Sequence, residues 1–294
     1  MTVTLTEALT TAGTKRKPRR PWSVKKFIAH IVIIAVGVAM IYPLLWMVSS
    51  SFKPTAEIFT EGGLPTTWTW ENYVQGWNAI GHPFLLFLGN SALVAAASVL
   101  GNLFSCTLAA YAFARLEFRC KKTMFVAMMA TLMLPFQVIL VPQYILFNNL
   151  GMVDTFWPLL LPKFLAVDTF FIFLMVQFIR GLPRSLDDAA AIEGCGPFGV
   201  FWRIILPLMR PALAVTAAFT FIWTWNDFLS PLLYLPSREN FTVPLALNAF
   251  LDSEGASQWG PMFAMACLSL LPVFLLFLFT QRHLVNGIAT TGLK

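Results

Sequence analysis

Lys163, Asp168 and Asp227 are ionisable side chains set inside long apolar runs. A charge at the middle of a membrane helix costs about 2.5–3.5 kcal/mol on insertion scales, so none of the three is expected to face lipid. Asp168 lies about ten residues into its run, roughly 15 Å at ~1.5 Å per helical residue, which makes it the stronger candidate for lining a pathway. Lys163 lies nearer the end of the same run, where it either snorkels to the interface or joins the interior. Asp227 closes the series Trp223, Trp225, Asn226. Indole faces beside amide and carboxylate groups can stack and hydrogen-bond, which is how a sugar is held. Polar packing between helices uses the same groups, and the residues alone leave both readings open.

A second constellation is the segment 183–211, PRSLDDAAAIEGCGPFGVFWRIILPLMRP, polar and turn-rich between two apolar runs. Residues 186–191 favour a helix, and Asp187 and Asp188 near its start suit the positive end of the helix dipole. Ala189, Ala190 and Ala191 offer a surface that another backbone can approach closely. Gly194 and Gly196 permit a sharp reversal at positive φ. Pro197 is suited to the first turn of a second short helix. Phe198, Phe201, Trp202 and Ile205 recur at helical spacing and predict one apolar face, flanked by Arg203 and Arg210. Pro207 and Pro211 end the segment or turn it into the next run. The result is helix, tight turn, helix: either a knob that docks onto another protein or an amphipathic hairpin packed under a membrane.

The elements that must position these residues are membrane helices. The chain is 57% hydrophobic and 12% charged, with a mean hydropathy of +0.71, whereas soluble domains carry about 25% charged residues. Six runs are long enough to cross a bilayer: 27–48, 90–114, 124–147, 157–179, 211–233 and 259–281. Residues 84–89 are expected to enter the interface ahead of the second run. Backbone groups without water must pair within each run, which favours helices; the short alternating segments of a β-barrel are missing.

Seventeen of the 20 Lys and Arg residues fall in the N-terminal tail, the second-to-third link, the fourth-to-fifth link and the C-terminal end. Positive residues mark the cytoplasmic side, so both termini and both links are expected there, as six spans require. The net charge of +6 is thus a topology signal, not a nucleic-acid one. The polar stretch before the first run has no cleavable-signal pattern. Cys106, Cys120, Cys195 and Cys267, like the three His, are scattered, which points to no disulfide and no metal. Residues 194–199 match GxGxxG, but the motif needs a strand before it and a βαβ unit around it. Asn240-Phe241-Thr242 is a glycosylation sequon by pattern only, and no P-loop occurs.

The segment 183–211 resembles the "EAA" loop of permease subunits of ATP-binding-cassette (ABC) importers. Asp188-Ala189-Ala190 stands for E-A-A, Gly194 for the glycine, and Ile204-Ile205-Leu206-Pro207 with Pro211 for the closing pattern. Asp188 replaces the usual Glu, and Glu193 the Asp usually found before the glycine; both keep charge. Asn90-Ser91, residues 108–115 (LAAYAFAR), Leu134-Pro135, Pro142, Leu150-Gly151, Asp154-Thr155, Trp225-Asn226-Asp227-Phe228 and Val285-Asn286-Gly287 resemble the carbohydrate-uptake, maltose-type branch.

The resemblance implies an all-α membrane protein with the six-helix type I importer permease fold: a cytoplasmic tail, 1–26, then a permease domain, 27–294, containing the coupling loop 181–211. It implies a non-enzymatic subunit of the cytoplasmic membrane that moves a sugar or polyol. ATP would be bound by two partner ATPase subunits, so the chain itself needs no cofactor. A second homologous permease subunit and an extracytoplasmic solute-binding protein complete the assembly. Asp188, Ala189, Ala190, Glu193, Gly194, Phe201 and Pro207 would couple to the ATPase, with Ala190 against it. Asp168, Trp223, Trp225, Asn226 and Asp227 would line the pathway. A permease for another polar solute, glycerol phosphate or a peptide, is the alternative. A membrane enzyme finds no paired carboxylates, metal cluster or nucleophile–base set, and a channel gives no reason for the loop.

Overall fold

The computed structural model describes residues 24–60, 63–251 and 258–291, with side chains from 26 to 281. The tail ahead of residue 24, Lys294 and the side chains of Arg282 and Val285-Asn286-Gly287 lie outside the described residues. The chain divides into two compact units, Met1–Trp46 and Met47–Lys294. The loop and every pathway candidate belong to the second.

The described elements are all helical. Helix α1 (Val24–Ser51) is followed by a short α2 (Glu71–Asn78) and by α3 (Phe84–Arg115). Residues 84–89, expected as an interfacial segment, are the first turns of α3 itself. The third run is two helices, α4 (Lys121–Thr131) and α5 (Phe136–Asn149), bent by 101°. Pro135 lacks an N–H and disfavours helical geometry at Leu134, so the break falls there. The fourth run is α6 (Trp157–Phe164) and α7 (Thr169–Arg180), interrupted where Ala166 takes φ +56°.

Helix α8 (Ser185–Ile192) and the α9 (Pro197–Val200), π-turn (Phe201–Ile205) and α10 (Leu206–Leu208) series form the loop. Helix α11 (Arg210–Trp225) then departs at 73°. The fifth run stops at Trp225, short of the expected 233, and resumes as α12 (Leu229–Tyr234) after Asn226, Asp227 and Phe228. Helices α13 (Val243–Asn248) and α14 (Trp259–Thr291) complete the order. Proline occupies the first turn of α6, α9, α11 and α13, where its missing N–H costs nothing. Among the described residues, four helices are long and apolar enough to cross a membrane, taking 157–180 as one, or up to six if each bent pair is one span.

Helix α3 is the hub: α6, α7 and α11 pack on it, and α14 packs on α11 and α2. Lipid is as apolar as leucine, so close packing, more than burial from water, must hold these helices. Gly101 supplies it on α3, where an added Cβ would lie 2.9 Å from the Phe164 ring and 3.1 Å from the Lys163 carbonyl carbon.

Arg115 pairs with Asp187 and Arg180 lies over the Phe125 ring, so the second-to-third and fourth-to-fifth links share one end. At the other end Asn90 Nδ2 donates to the Glu239 and Phe241 carbonyls, and Ser91 Oγ accepts from the Val243 N–H. Asp154, at φ +65°, accepts from Ser237 N–H and Oγ–H and from Asn240 Nδ2. The Asn240 amide of the sequon is therefore engaged within the protein.

Candidate functional site

Helix α8 begins with Asp187 and Asp188 in its first turn, as the dipole favours. It ends in a paired motif: Cys195 N–H reaches the Ala190 carbonyl and Gly194 N–H the Ala191 carbonyl. This closure needs a left-handed residue, and Gly194 provides it at φ +79°. Nothing lies within 4 Å of where its Cβ would be, so conformation, not close approach, requires glycine. Gly196 is extended, with φ −69° and ψ 169°; one positive φ is enough for the reversal.

The knob has two faces. Ala190, Val200, Phe201, Ile205 and Met209 are buried against α3 and α7, in a cluster with Tyr111, Phe171 and Ile179. Asp188, Ala189, Glu193, Gly194 and Pro207 are exposed. So are Ile192, at 86%, Phe198 and Trp202. Two expectations are corrected here. Ala190 lies against the protein's own membrane helices, because it is two residues from Asp188 and so on another side of α8. Phe198, Phe201, Trp202 and Ile205 do not form one face: Phe201 and Ile205 turn inward, Phe198 and Trp202 outward. The π turn, in which Leu206 N–H reaches back to the Phe201 carbonyl, precedes Pro207, whose ring would clash with the carbonyl four residues back in a regular helix.

Three contacts fasten the knob to the last turns of α3. Arg115 Nε lies 2.8 Å from Asp187 Oδ2, with the Arg115 side chain 7% exposed. Arg115 Nη2 donates to the Leu182 carbonyl at 2.9 Å, and the Tyr111 hydroxyl donates to the Pro197 carbonyl at 2.8 Å.

Asp168, Trp223, Asn226 and Asp227 border a cavity of about 720 Å³. Asp168 Oδ2 accepts from Lys163 Nζ at 2.9 Å and from Asn102 Nδ2 at 2.6 Å. Lys163 therefore joins the interior instead of snorkelling. The Thr131 and Thr169 hydroxyls meet at 3.0 Å. Asp227 accepts from the Ser230 N–H, and Asn226 lies beside it. Trp223, 50% exposed, tilts against Phe170 and Phe171 with ring centroids 5.5 and 5.1 Å away. Three charged residues line this cavity, Lys163, Asp168 and Asp227, so with all three ionised its lining carries one net negative charge.

Trp225 is not part of it. It is 4% exposed, stacks on Phe221 at 5.4 Å and packs with Phe84 and Phe87. Two residues along a helix is about 200° of rotation at ~3.6 residues per turn, so Trp223 and Trp225 cannot both face the cavity. Sequence reasoning passed over Asn102, Thr131 and Thr169. Asn102, fully buried in the middle of α3, was findable by the cost of burying an unpartnered amide.

The family model for the inner membrane component of binding-protein-dependent transport systems matches residues 101–289. A probable ABC transporter permease protein of Bacillus subtilis, YurM, is 36% identical over 95% of this chain and 92% of its own length. The arabinooligosaccharides transport system permease protein AraQ of Halalkalibacterium halodurans is 32% identical over 95% of this chain and 99% of its own. Among solved structures, a chain from a bacterial ABC transporter involved in the import of the acidic polysaccharide alginate superposes with a TM-score of 0.76. It covers 88% of this chain and 96% of that one at 20% identity, a likeness of fold.

Proposed function

This chain belongs to the binding-protein-dependent transport system inner membrane components, and we propose that it moves a sugar or related polyol in an ABC importer. The observation that carries the reading is the outward face of the knob. Asp188, Ala189, Ile192, Glu193, Phe198 and Trp202 stand exposed, while the opposite face of the knob belongs to the membrane core. An acidic and apolar surface at the basic end of a membrane domain is built for a protein partner, and an ATPase subunit fits it. The chain has no P-loop, so ATP would be bound by two such subunits. The chain would lie in the cytoplasmic membrane with its termini and basic links in the cytoplasm. It would pair with a second homologous permease subunit and receive solute from an extracytoplasmic binding protein.

The cavity supports an uncharged solute. Lys163 is already neutralised by Asp168, which leaves Asp227 to repel an anion such as glycerol phosphate. Trp223 gives a stacking face and Asn226 and Asp227 give hydrogen-bonding groups, and Thr131 and Thr169 line the same cavity. AraQ, named for arabinooligosaccharides, is consistent with such a solute.

The test is reconstitution of the complete transporter in vesicles. Neutral labelled oligosaccharides should enter only when ATP and the binding protein are supplied. Uptake of phosphorylated or peptide solutes in their place would move the chain to the alternative reading, and ATP-independent uptake would remove the importer reading.

A further inference from the structure

We propose that Tyr111 and Arg115 are positioning residues that fasten both helices of the knob to α3, and that α3 carries knob movement to the Lys163–Asp168 pair as one rigid body. The inference rests on the reading of the knob as an ATPase-docking element. It concerns the end of α3, residues 108–115, to which the proposed function gives no task.

The geometry is specific. Arg115 holds the entrance of the knob twice, by its ion pair to Asp187 on α8 and by its bond to the Leu182 carbonyl just before it. Tyr111, one turn back on the same face of α3, holds the second helix at its first residue, Pro197. Its ring also packs on Phe201, centroids 5.0 Å apart. Pro197 has no N–H to hold it to neighbouring backbone, so its carbonyl is the available handle. The Gly194 reversal separates the two knob helices, and the clamp grips one on each side of it.

The other half of the inference lies further along α3. Asn102 donates to Asp168 at 2.6 Å and to Thr220 Oγ1 on α11 at 3.1 Å. Ser105 donates to the Lys163 carbonyl at 2.6 Å. The same helix thus grips both sides of the α6–α7 break that carries the cavity's ion pair. Asn102 and Arg115 are about 20 Å apart along the axis, at ~1.5 Å per residue. Among the described residues, α3 is the one membrane-crossing helix with neither a break nor an interior proline. Helices α1, α5, α6 and α14 contain Pro43, Pro142, Pro162 and Pro272, and the third, fourth and fifth runs are interrupted. Prolines and breaks are where helices bend; a helix without them moves as a rod.

The experiment uses the complete transporter and three readouts. The first is tryptic cleavage at Arg184 in the detergent-solubilised permease, which needs no ATPase. The second is ATPase co-purification. The third is solute moved per ATP in vesicles, with labelling of a Thr131→Cys probe before and after nucleotide trapping. Arg115→Gln and Asp187→Asn should each raise cleavage at Arg184 and lower solute per ATP several-fold. Tyr111→Phe, which removes only the hydroxyl, should act in the same direction more weakly. ATPase co-purification should hold, because the exposed face is untouched. The nucleotide-dependent change at Thr131→Cys should vanish in Arg115→Gln. If the single variants do not accumulate, the exchanged pair Arg115→Asp/Asp187→Arg must restore both abundance and protection. Unchanged cleavage and unchanged solute per ATP in the singles would overturn the clamp. A full nucleotide response at Thr131→Cys in Arg115→Gln would overturn the role of α3. Loss of ATPase co-purification with the unaltered chain would instead overturn the docking reading, while the cleavage readout would still judge the clamp.

Discussion

Lys163 and Asp168, five residues apart, close an ion pair of 2.9 Å across the break between α6 and α7. A regular helix would place them about 140° apart at ~3.6 residues per turn. The pair forms because the helix is interrupted at Ala166, which takes φ +56°, so the two residues are not held at that helical separation. Each side chain is about a quarter exposed, 28% and 26%, so the pair is neither fully desolvated nor a surface bridge.

Removing one partner should therefore be worse than removing both. Asp168→Ala leaves an ammonium inside the membrane domain and Lys163→Met leaves a carboxylate, each at a cost of a few kcal/mol. The double variant Lys163→Met/Asp168→Ala removes both charges. We expect its abundance in membranes, measured by immunoblot at equal expression, to exceed that of either single variant. Uptake should stay low in all three, because the cavity lining has changed. Equal abundance in singles and double would show that the pair is not coupled.

Trp223 and Trp225 should part company. Trp223→Ala opens the cavity wall and should lower uptake at least several-fold with permease levels kept. Trp225→Ala removes a buried indole from the packing of Phe84, Phe87 and Phe221 and should cost roughly 3–5 kcal/mol, read as lost protein in the membrane and a lower thermal midpoint in detergent. The reverse pattern would mean that Trp225 serves the pathway.

The loop and the pathway differ in how legible they are in the sequence. The helix–turn–helix of the knob follows from local chemistry: acidic residues at a helix start, Gly194 at its end, Pro197 at the next start. Those residues determine their neighbours' conformations within a few positions, and they behave as read. Which face of the knob turns inward is a tertiary fact. It depends on Tyr111, Phe171 and Ile179 far away in the chain, so the local pattern does not show that Ala190 and Phe201 turn inward. The six apolar runs are legible from length and hydropathy. The breaks within them are less so, because Ala166 has no turn signature and Asn226-Asp227 reads equally as polar helix. Trp225 stands beside Trp223 and Asn226 in sequence, and helical rotation overrides that proximity.

Gly194 should be sensitive to conformation alone. A left-handed residue with a Cβ costs about 1–2 kcal/mol, and Asn tolerates that region best. Gly194→Asn should thus be nearly neutral, and Gly194→Val should uncouple ATP hydrolysis from uptake at matched permease levels. No steric conflict is expected, since no atom lies within 4 Å of the added Cβ. If Gly194→Asn and Gly194→Val were equally damaging, side-chain contact with the partner, not backbone geometry, would be the cause.

Gly101 should be sensitive to volume. Its Cβ would press on the Phe164 ring and on the Lys163 backbone at the α3–α6 contact. The ring can swing, the backbone cannot. Gly101→Ala should already cost about 1–3 kcal/mol through overpacking, and Gly101→Leu should cost more. Thermal unfolding of the purified permease in detergent measures both, and equal midpoints for the two variants would argue against close packing.

The last prediction concerns pH. Hydrogen bonds from the Ser237 side chain and then from Asn240 hold the Asp154 carboxyl below its ordinary value, against a smaller opposing effect of burial. A carboxyl depressed in the folded state adds stability that is in place above its ordinary pKa. That contribution is lost as pH falls through the depressed folded value, where the protonated group no longer accepts both bonds. The contacts join loop 150–156 to the segment 235–241, which Asn90 also holds. Amide exchange at Ser237 and Asn240 should therefore stay slow near neutrality and quicken, beyond the intrinsic pH dependence of exchange, once pH drops below the usual carboxylate range of about 4. Asp154→Asn is the control, since Asn accepts the positive φ but cannot titrate over that window. Its exchange should be faster than that of the unaltered protein at neutral pH and show no added acceleration in acid. An acid transition that survives in Asp154→Asn would assign the pH response to another group.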